Sequence, residues 1–253
     1  MIRRVSADVF CVEGTAVNWT IVREGRELTL IDAGYPGDEQ AVVASIRALG
    51  HEPQDVRAVL VTHAHVDHLG AVGHLHATYG TPVYAHADEL PNLVGERHES
   101  ATRADVLSRV WRPRVLRWSL SVLPKGVSDH VVVPHARDQA EIAGPDGRLD
   151  LPGRPLPVHL PGHTSGSCAY LLPEPGVLAS GDALITGHPL STFEGPQLLP
   201  DFFSHDPSAA ERALDVVATL AAETVVPGHG RPWRGDAAAA AVAARQTLGR
   251  RLA

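Results

Sequence analysis

His63-Ala64-His65-Val66-Asp67-His68 follows directly on the apolar run Ala58-Val59-Leu60-Val61. Neutral imidazole and carboxylate are the ligands that suit zinc and related divalent metals. In a helix, His63 and His65 would face different sides, because residues two apart do not share a face. A short turn leaving a buried strand can aim all four polar side chains at one point. The stretch therefore reads as a metal-binding turn at the end of a strand.

Further ligands stand downstream. They are His163 in Pro161-Gly162-His163-Thr164, Asp182 in Ser180-Gly181-Asp182, and His229 in Pro227-Gly228-His229-Gly230. Each follows a strand-like apolar run, at 158–160, 177–179 and 225–226. Each also sits beside glycine, which lets a backbone turn sharply and approach an ion closely. Together with the first cluster these are more candidates than one tetrahedral ion accepts.

The ordered set resembles the metallo-β-lactamase-fold hydrolases. His63, His65, Asp67 and His68 match that family's HxHxDH motif, and His163, Asp182 and His229 match its later ligands. The resemblance runs from about Val12 to Pro232. It implies an α/β (α+β) fold, a four-layer αββα sandwich of two mixed β-sheets with helices outside, forming one domain over 1–253. It also implies two divalent metal ions, zinc foremost. Histidine and carboxylate suit iron and manganese as well.

By the same resemblance one ion takes His63, His65 and His163, the other takes Asp67, His68 and His229, and Asp182 bridges them. A hydroxide shared by the two ions would then attack an ester, lactone or thioester carbonyl, with Asp67 both ligand and catalytic proton carrier. Asp32, in Leu30-Ile31-Asp32-Ala33-Gly34, resembles a family aspartate that orients a ligand turn. Thr62 and Thr164 flank ligands and would serve similarly or cap turns. His188 follows Asp182 closely enough to face the cleft, and Tyr35 and Phe193 are loop aromatics that could border substrate. Among the other histidines, His74, His76 and His86 read as surface or satisfied core positions.

Asp182 sets the chain apart from the true β-lactamases of the family, which lack that carboxylate. The pattern is closest to glyoxalase-II-like thioesterases and lactonases. Glyoxalase II, however, carries a basic C-terminal helical region for its glutathione thioester, whereas here a mostly alanine helix follows His229. Phosphodiester hydrolysis, iron-dependent redox chemistry and a non-catalytic metal-binding module are the competing readings.

The net charge of −7 and the absence of a basic stripe argue against nucleic acid. No apolar stretch has transmembrane length and no secretory h-region follows the first residues, so a cytoplasmic setting without membrane is expected. A small molecule is the expected partner. Cys11 and Cys168 lie in strand-like surroundings and read as buried hydrophobes, not as a disulfide or metal ligands.

Hydrophobic periodicity predicts strands at 9–12, 19–22 and 28–31, with a hairpin turn at 23–26. A helix over 38–49, a strand at 58–61, a helix over 69–79 and a strand at 83–85 follow. In the second half, strands lie at 158–160, 169–172, 177–179 and 225–226. A helix starts at Asp206-Pro207 and another runs from Asp236 to Arg250-Arg251. The region 90–147 reads as a helical insertion near the active-site edge, with a helix at 100–110 that Pro113 interrupts. Trp111 and Trp118 in this insertion suit a substrate-selecting wall or a homodimer contact.

Overall fold

The structure is a computed structural model that describes residues 1–248. Apolar alternation in the first residues builds an antiparallel meander of β1 (Ile2–Arg4), β2 (Val9–Glu13), β3 (Asn18–Glu24) and β4 (Glu27–Ile31). The expected hairpin turn is made at Gly25, whose φ of 59° is a conformation glycine adopts freely. α1 (Glu39–Ala48) then crosses over to β5 (Val56–Leu60), which lies parallel to β4. α2 (Val66–Leu69) and α3 (Val72–Tyr79) lead to β6 (Val83–Ala85), again parallel.

α4 (Leu90–Leu93), α5 (Arg103–Leu107) and α6 (Pro113–Val122) precede β7 (Arg137–Asp138), which pairs with β6 and completes a sheet of seven strands in sequence order. The second sheet has the order β12-β11-β10-β9-β8, built from β8 (Leu156–His159), β9 (Cys168–Leu172), β10 (Val177–Gly181), β11 (Thr224–Pro227) and β12 (Trp233–Arg234). α7 (Pro207–Val217) connects β10 to β11, and α8 (Ala237–Thr247) follows β12. Both sheets are mixed.

Three apolar interfaces make this four layers. Between the sheets, Cys11, Ile31, Ala58 and Leu60 meet Cys168, Tyr170, Leu172 and Ala179. Outside the first sheet, Ile21, Leu30 and Val59 pack with Val42, Ile46, Val72 and Leu75 of the covering helices. Outside the second, Leu171, Leu178 and Val225 pack with Leu214, Val217 and the alanines of α8. A sheet with two apolar faces needs cover on both, and each buried Leu, Ile or Val contributes about 1.5–3 kcal/mol toward that cover. The αββα sandwich expected from the motif is thus the observed fold. Both cysteines are free and buried between the sheets.

Strand direction gathers the site. β8 is antiparallel to β9 and β9 to β10, while β10 and β11 are parallel. Hence β8, β10 and β11 all deliver their C-terminal ends to one edge. The backbone N–H of Cys168 donates to Thr62 O at 2.9 Å and brings the end of β5 to that same edge.

Some elements differ from the sequence expectation. The turn expected over 63–68 passes into α2 at Val66, so Asp67 and His68 are helical, and the helix expected over 69–79 starts only at Val72 as α3, after a break. Gly70 lies at the break and donates its N–H to Gly34 O at 2.6 Å; a Cβ there would fall 2.0 Å from the carbonyl carbon of Tyr35. The helix expected over 100–110 shrinks to α5, capped by the Thr102 hydroxyl, which accepts the Asp105 N–H. Pro113 starts α6 instead of merely ending a helix, because its fixed φ and missing N–H suit a first turn. The ends of the 90–147 span belong to the sandwich: Leu93 and Val133 are in the first helical core and β7 is a sheet strand. The part that stands over the edge is centred on α5 and α6. Arg250 and Arg251, the expected end of the last helix, lie outside the described residues. Among the described residues no helix is long and apolar enough to cross a membrane.

Two glycine substitutions should separate crowding from propensity. Gly70→Ala meets backbone and should cost at least about 2 kcal/mol of stability. Gly73→Ala, within α3 and with nothing within 4 Å of the new methyl, should add about 0.5–1 kcal/mol. Urea midpoints of the two variants would check the opposite signs.

Candidate metal centre

Every residue of the expected ligand set reaches the shared edge. His163 Nε2 lies 3.1 Å from His63 Nε2 and 2.9 Å from His65 Nδ1, so three ring nitrogens converge. Beside them Asp67 Oδ2 stands 3.9 Å from His68 Nε2 and 3.4 Å from His229 Nε2. The Asp182 carboxylate lies between these groups. Its Oδ2 is 3.5 Å from His163 Nε2, 3.9 Å from His63 Nε2 and 3.0 Å from His229 Nε2, while its Oδ1 is 3.5 Å from His68 Nε2. Three ligand groups form, His63–His65–His163, Asp67–His68–His229 and, crossing between them, His63–His68–Asp182.

The outer sides of the rings are held by hydrogen bonds. His68 Nδ1 is 2.8 Å from Asp32 Oδ2, which also accepts the Thr62 hydroxyl at 2.8 Å. His63 Nδ1 is 3.0 Å from that hydroxyl. His65 Nε2 donates to Glu99 O at 2.7 Å, and His229 Nδ1 donates to Ala16 O. Only the outer nitrogen of His163 is without a partner among these five rings. Inward, His68 Nε2 and Asp182 Oδ1 are buried with no hydrogen-bond partner. Buried polar atoms are nearly always paired. Inward lone pairs left open beside outward N–H groups fixed by acceptors are the arrangement of ligating imidazoles. The residues fit divalent cations on that ground.

Asp32 occupies a backbone φ of 62°, uncommon for a residue with a side chain. The strain, of order 1–3 kcal/mol, is offset by four contacts the carboxylate gains there or relays, from Thr62 N, Thr62 Oγ1, His68 and, through the threonine, His63. Gly228 shows how tightly the site is built: a Cβ would fall 2.2 Å from Asp182 Oδ1. Asn18 secures the same loop, donating to Pro227 O at 2.9 Å and Gly230 O at 2.6 Å.

With protons as the only cations, the groups separate sharply. Burial drives His63 and His163 well below the usual imidazole range, and neighbouring imidazoles add to the effect. Burial opposes charge on His68 too, but Asp32, Asp67 and Asp182 override it and carry its pKa to about 10. The same balance, led by Asp182, raises His229. Burial opposes ionisation of Asp182, yet His229 and His68 outweigh it and hold the carboxyl well below its ordinary value.

Sequence reasoning missed three side chains, Glu89 just before the region it read as an insertion and Asn92 and Glu99 within it. Glu89 is fully buried; its Oε1 accepts Ala64 N at 2.8 Å and its Oε2 accepts the Thr164 hydroxyl at 2.7 Å and Gly166 N at 3.1 Å. It ties the His63–His68 turn to the His163 turn, and its burial pushes its pKa up against those bonds. Asn92 donates to both Glu89 and Glu99, and Glu99 accepts Ser165 N at 2.6 Å. Glu89 lies four residues after β6, a strand-end position like that of the ligands, which is the only local signal it carried.

His188 does line the cleft, with its ring 5.0 Å from that of His229; burial and then His229 lower its pKa to about 3, so it stays neutral. Tyr35 also lines the cleft, and its hydroxyl pKa is pushed up first by burial and then by the Asp67 and Asp182 charges. Phe193 is half-exposed and does not line the cleft. Cys168 is bonded to Gln139 between the sheets, away from the ligands. His86, Asp88 and His159 also cluster, but the two rings stack face to face at 3.9 Å. Lone pairs of stacked rings lie in two near-parallel planes, and one ion cannot sit in both.

A family model described as the metallo-beta-lactamase superfamily matches residues 12–229. The chain is similar to a probable metallo-hydrolase, YflN, of Bacillus subtilis, at 27% identity over 84% of this chain and 78% of that one. It is 35% identical to a hydroxyacylglutathione hydrolase of Alkalilimnicola ehrlichii over 70% of this chain and 50% of that one. Among solved structures, a di-iron-bound form of TTHA1623 superposes with a TM-score of 0.56 at 28% identity, covering 88% of this chain and 92% of that one.

Asp32→Asn keeps the size of the side chain but weakens the anchor of His68 and Thr62. It should lower metal affinity about 10–100-fold, read by competition with a chromophoric chelator. Metal uptake should also release protons. Metal-free His68 holds its proton up to about pH 10, and a cation at Nε2 must displace it. Calorimetry at pH 8 in buffers of different ionisation enthalpy should show at least one proton released, and the release should shrink as pH rises through about 10.

Proposed function

This chain belongs to the metallo-beta-lactamase superfamily, and from that membership we propose a hydrolase that works with two divalent cations on ester, lactone or thioester carbonyls. One observation carries the reading: the Asp182 carboxylate turns one oxygen toward His68 and the other toward His63, His163 and His229. A carboxylate so placed would neutralise charge between two bound cations. When bound, the ions would supply Lewis acidity and ionise water near neutral pH.

His63, His65 and His163 would hold one cation; Asp67, His68 and His229 would hold the other. The protein's own groups do the rest. Asp32 and Thr62 keep the N–H of His68 and His63 turned outward, so that their free nitrogens face the centre. Asp67 is positioned to carry a proton to the leaving group, since it lines the cleft beside Tyr35. Neutral His188 on the wall offers a second hydrogen-bonding group without adding charge.

The hydroxyacylglutathione hydrolase similarity supports a thioester or related acyl substrate. The net charge of −7 weighs against a nucleic acid substrate. Zinc is the first choice of metal, and the di-iron form of TTHA1623 makes iron the alternative to measure.

Elemental analysis of purified protein should return close to two ions per chain. Hydrolysis of a lactone, an oxygen ester and a thioester should then exceed that of a phosphodiester and a β-lactam. Faster phosphodiester cleavage would overturn the acyl reading, and two ions with no turnover of any of these would leave a binding module. Asp182→Asn should lower kcat/KM by at least about 100-fold. Asp67→Asn should keep metal and lose about 10²–10⁴ in kcat if the carboxylate moves a proton.

A further inference from the structure

The cleft above the metal centre has a volume of about 480 Å³ and one wall far more apolar than ester chemistry alone requires. Its floor is His65, Asp67, His163, Asp182 and His229. Its wall comes from α5 and α6 and the turn between them, with Val106, Val110, Leu116, Leu120 and Leu123.

α6 uses two faces. Val115, Trp118 and Val122 are buried against Val17, Tyr35 and Leu190, which fixes the helix to the sandwich. Leu116, Leu120 and Leu123 follow the i, i+4, i+7 spacing of a second stripe and are 46%, 61% and 55% exposed while lining the cleft. That stripe spans about 10 Å at 1.5 Å per residue and lines the same cleft as the cation-binding residues. Leu107, 67% exposed, extends it on α5. Exposed apolar surface that continues into a polar-floored cavity marks a ligand with one apolar end.

We infer that the substrate carries an unbranched apolar acyl chain of medium length, laid along the Leu116–Leu120–Leu123 stripe with its carbonyl over the metal centre. The inference rests on the acyl-hydrolase reading and names the acyl part. Continuity with the catalytic floor favours this occupant over a second copy of the chain. Short or strongly polar acyl groups would leave the stripe wet.

The test uses metal-loaded protein and the carboxylates that acyl hydrolysis would release: butanoate, octanoate and dodecanoate. Affinity by calorimetry should rise about three- to fourfold per methylene between the first two and then level off, as about 0.8 kcal/mol per buried methylene predicts. In the Leu116→Ser/Leu120→Ser double variant, which alters exposed side chains only, butanoate affinity and metal content should hold while the chain-length dependence flattens. Equal affinities for all three acids, or a chain-length dependence untouched by the double variant, would overturn the inference. So would a stable dimer in the wild type that the same variant dissociates. Chain-length-dependent binding without turnover of any acyl ester would fault the hydrolase reading and leave the acyl-chain site standing.

Discussion

Five imidazoles meet at one closed edge of this molecule, and the Asp182 carboxylate among them is what makes the arrangement tolerable. Burying polar nitrogens without partners costs several kcal/mol each. Two triads of ligands packed side by side would also push two cations together. A carboxylate between the triads would answer the second problem, while His68 Nε2 and Asp182 Oδ1 keep no hydrogen-bond partner; its ionisation is favoured by His229 and His68 despite burial. Gly228 is glycine because a methyl group there would collide with that carboxylate. Local backbone chemistry, strand direction and electrostatics therefore converge on one side chain.

Around that centre the support is asymmetric. His68 and His63 share the Asp32–Thr62 pair, a carboxylate relay fixed by two bonds from a single threonine. His65 and His229 lean on backbone carbonyls instead. Carboxylate-backed imidazoles are more basic ligands than carbonyl-backed ones. Each proposed cation site thus contains one ring tied to Asp32, directly or through Thr62, and removing that single carboxylate would loosen both at once.

Much of this was legible in the sequence because its informative parts are local. The HxHxDH turn, the glycines beside His163 and His229, and the strand-like runs before them each carry their meaning within a few residues, and the fold and the meeting of the ligands followed. What escaped were groups whose role is made by distant approach. Glu89 reads as one more acidic residue until the His63–His68 and His163 turns close on it from both sides. The break at Gly70 depends on Tyr35, far earlier in the chain. Pro113 was seen as a stop, since periodicity alone does not say whether a proline closes one helix or opens the next.

The site is also a cross-link between the two halves of the fold. His63, His65, Asp67 and His68 come from the end of a first-sheet strand, whereas His163, Asp182 and His229 come from the second sheet. On the two-cation reading, each ion would take ligands from both sheets. Cations that bind this folded arrangement and not the unfolded chain stabilise it by mass action, by about 4 kcal/mol at a thousandfold excess over the dissociation constant. Glu89 and the Cys168–Thr62 backbone bond already join the same two edges without metal. Those covalently independent ties pre-set the spacing of the turns, so the ions would meet ligands already gathered and lose less of their binding energy to ordering the chain.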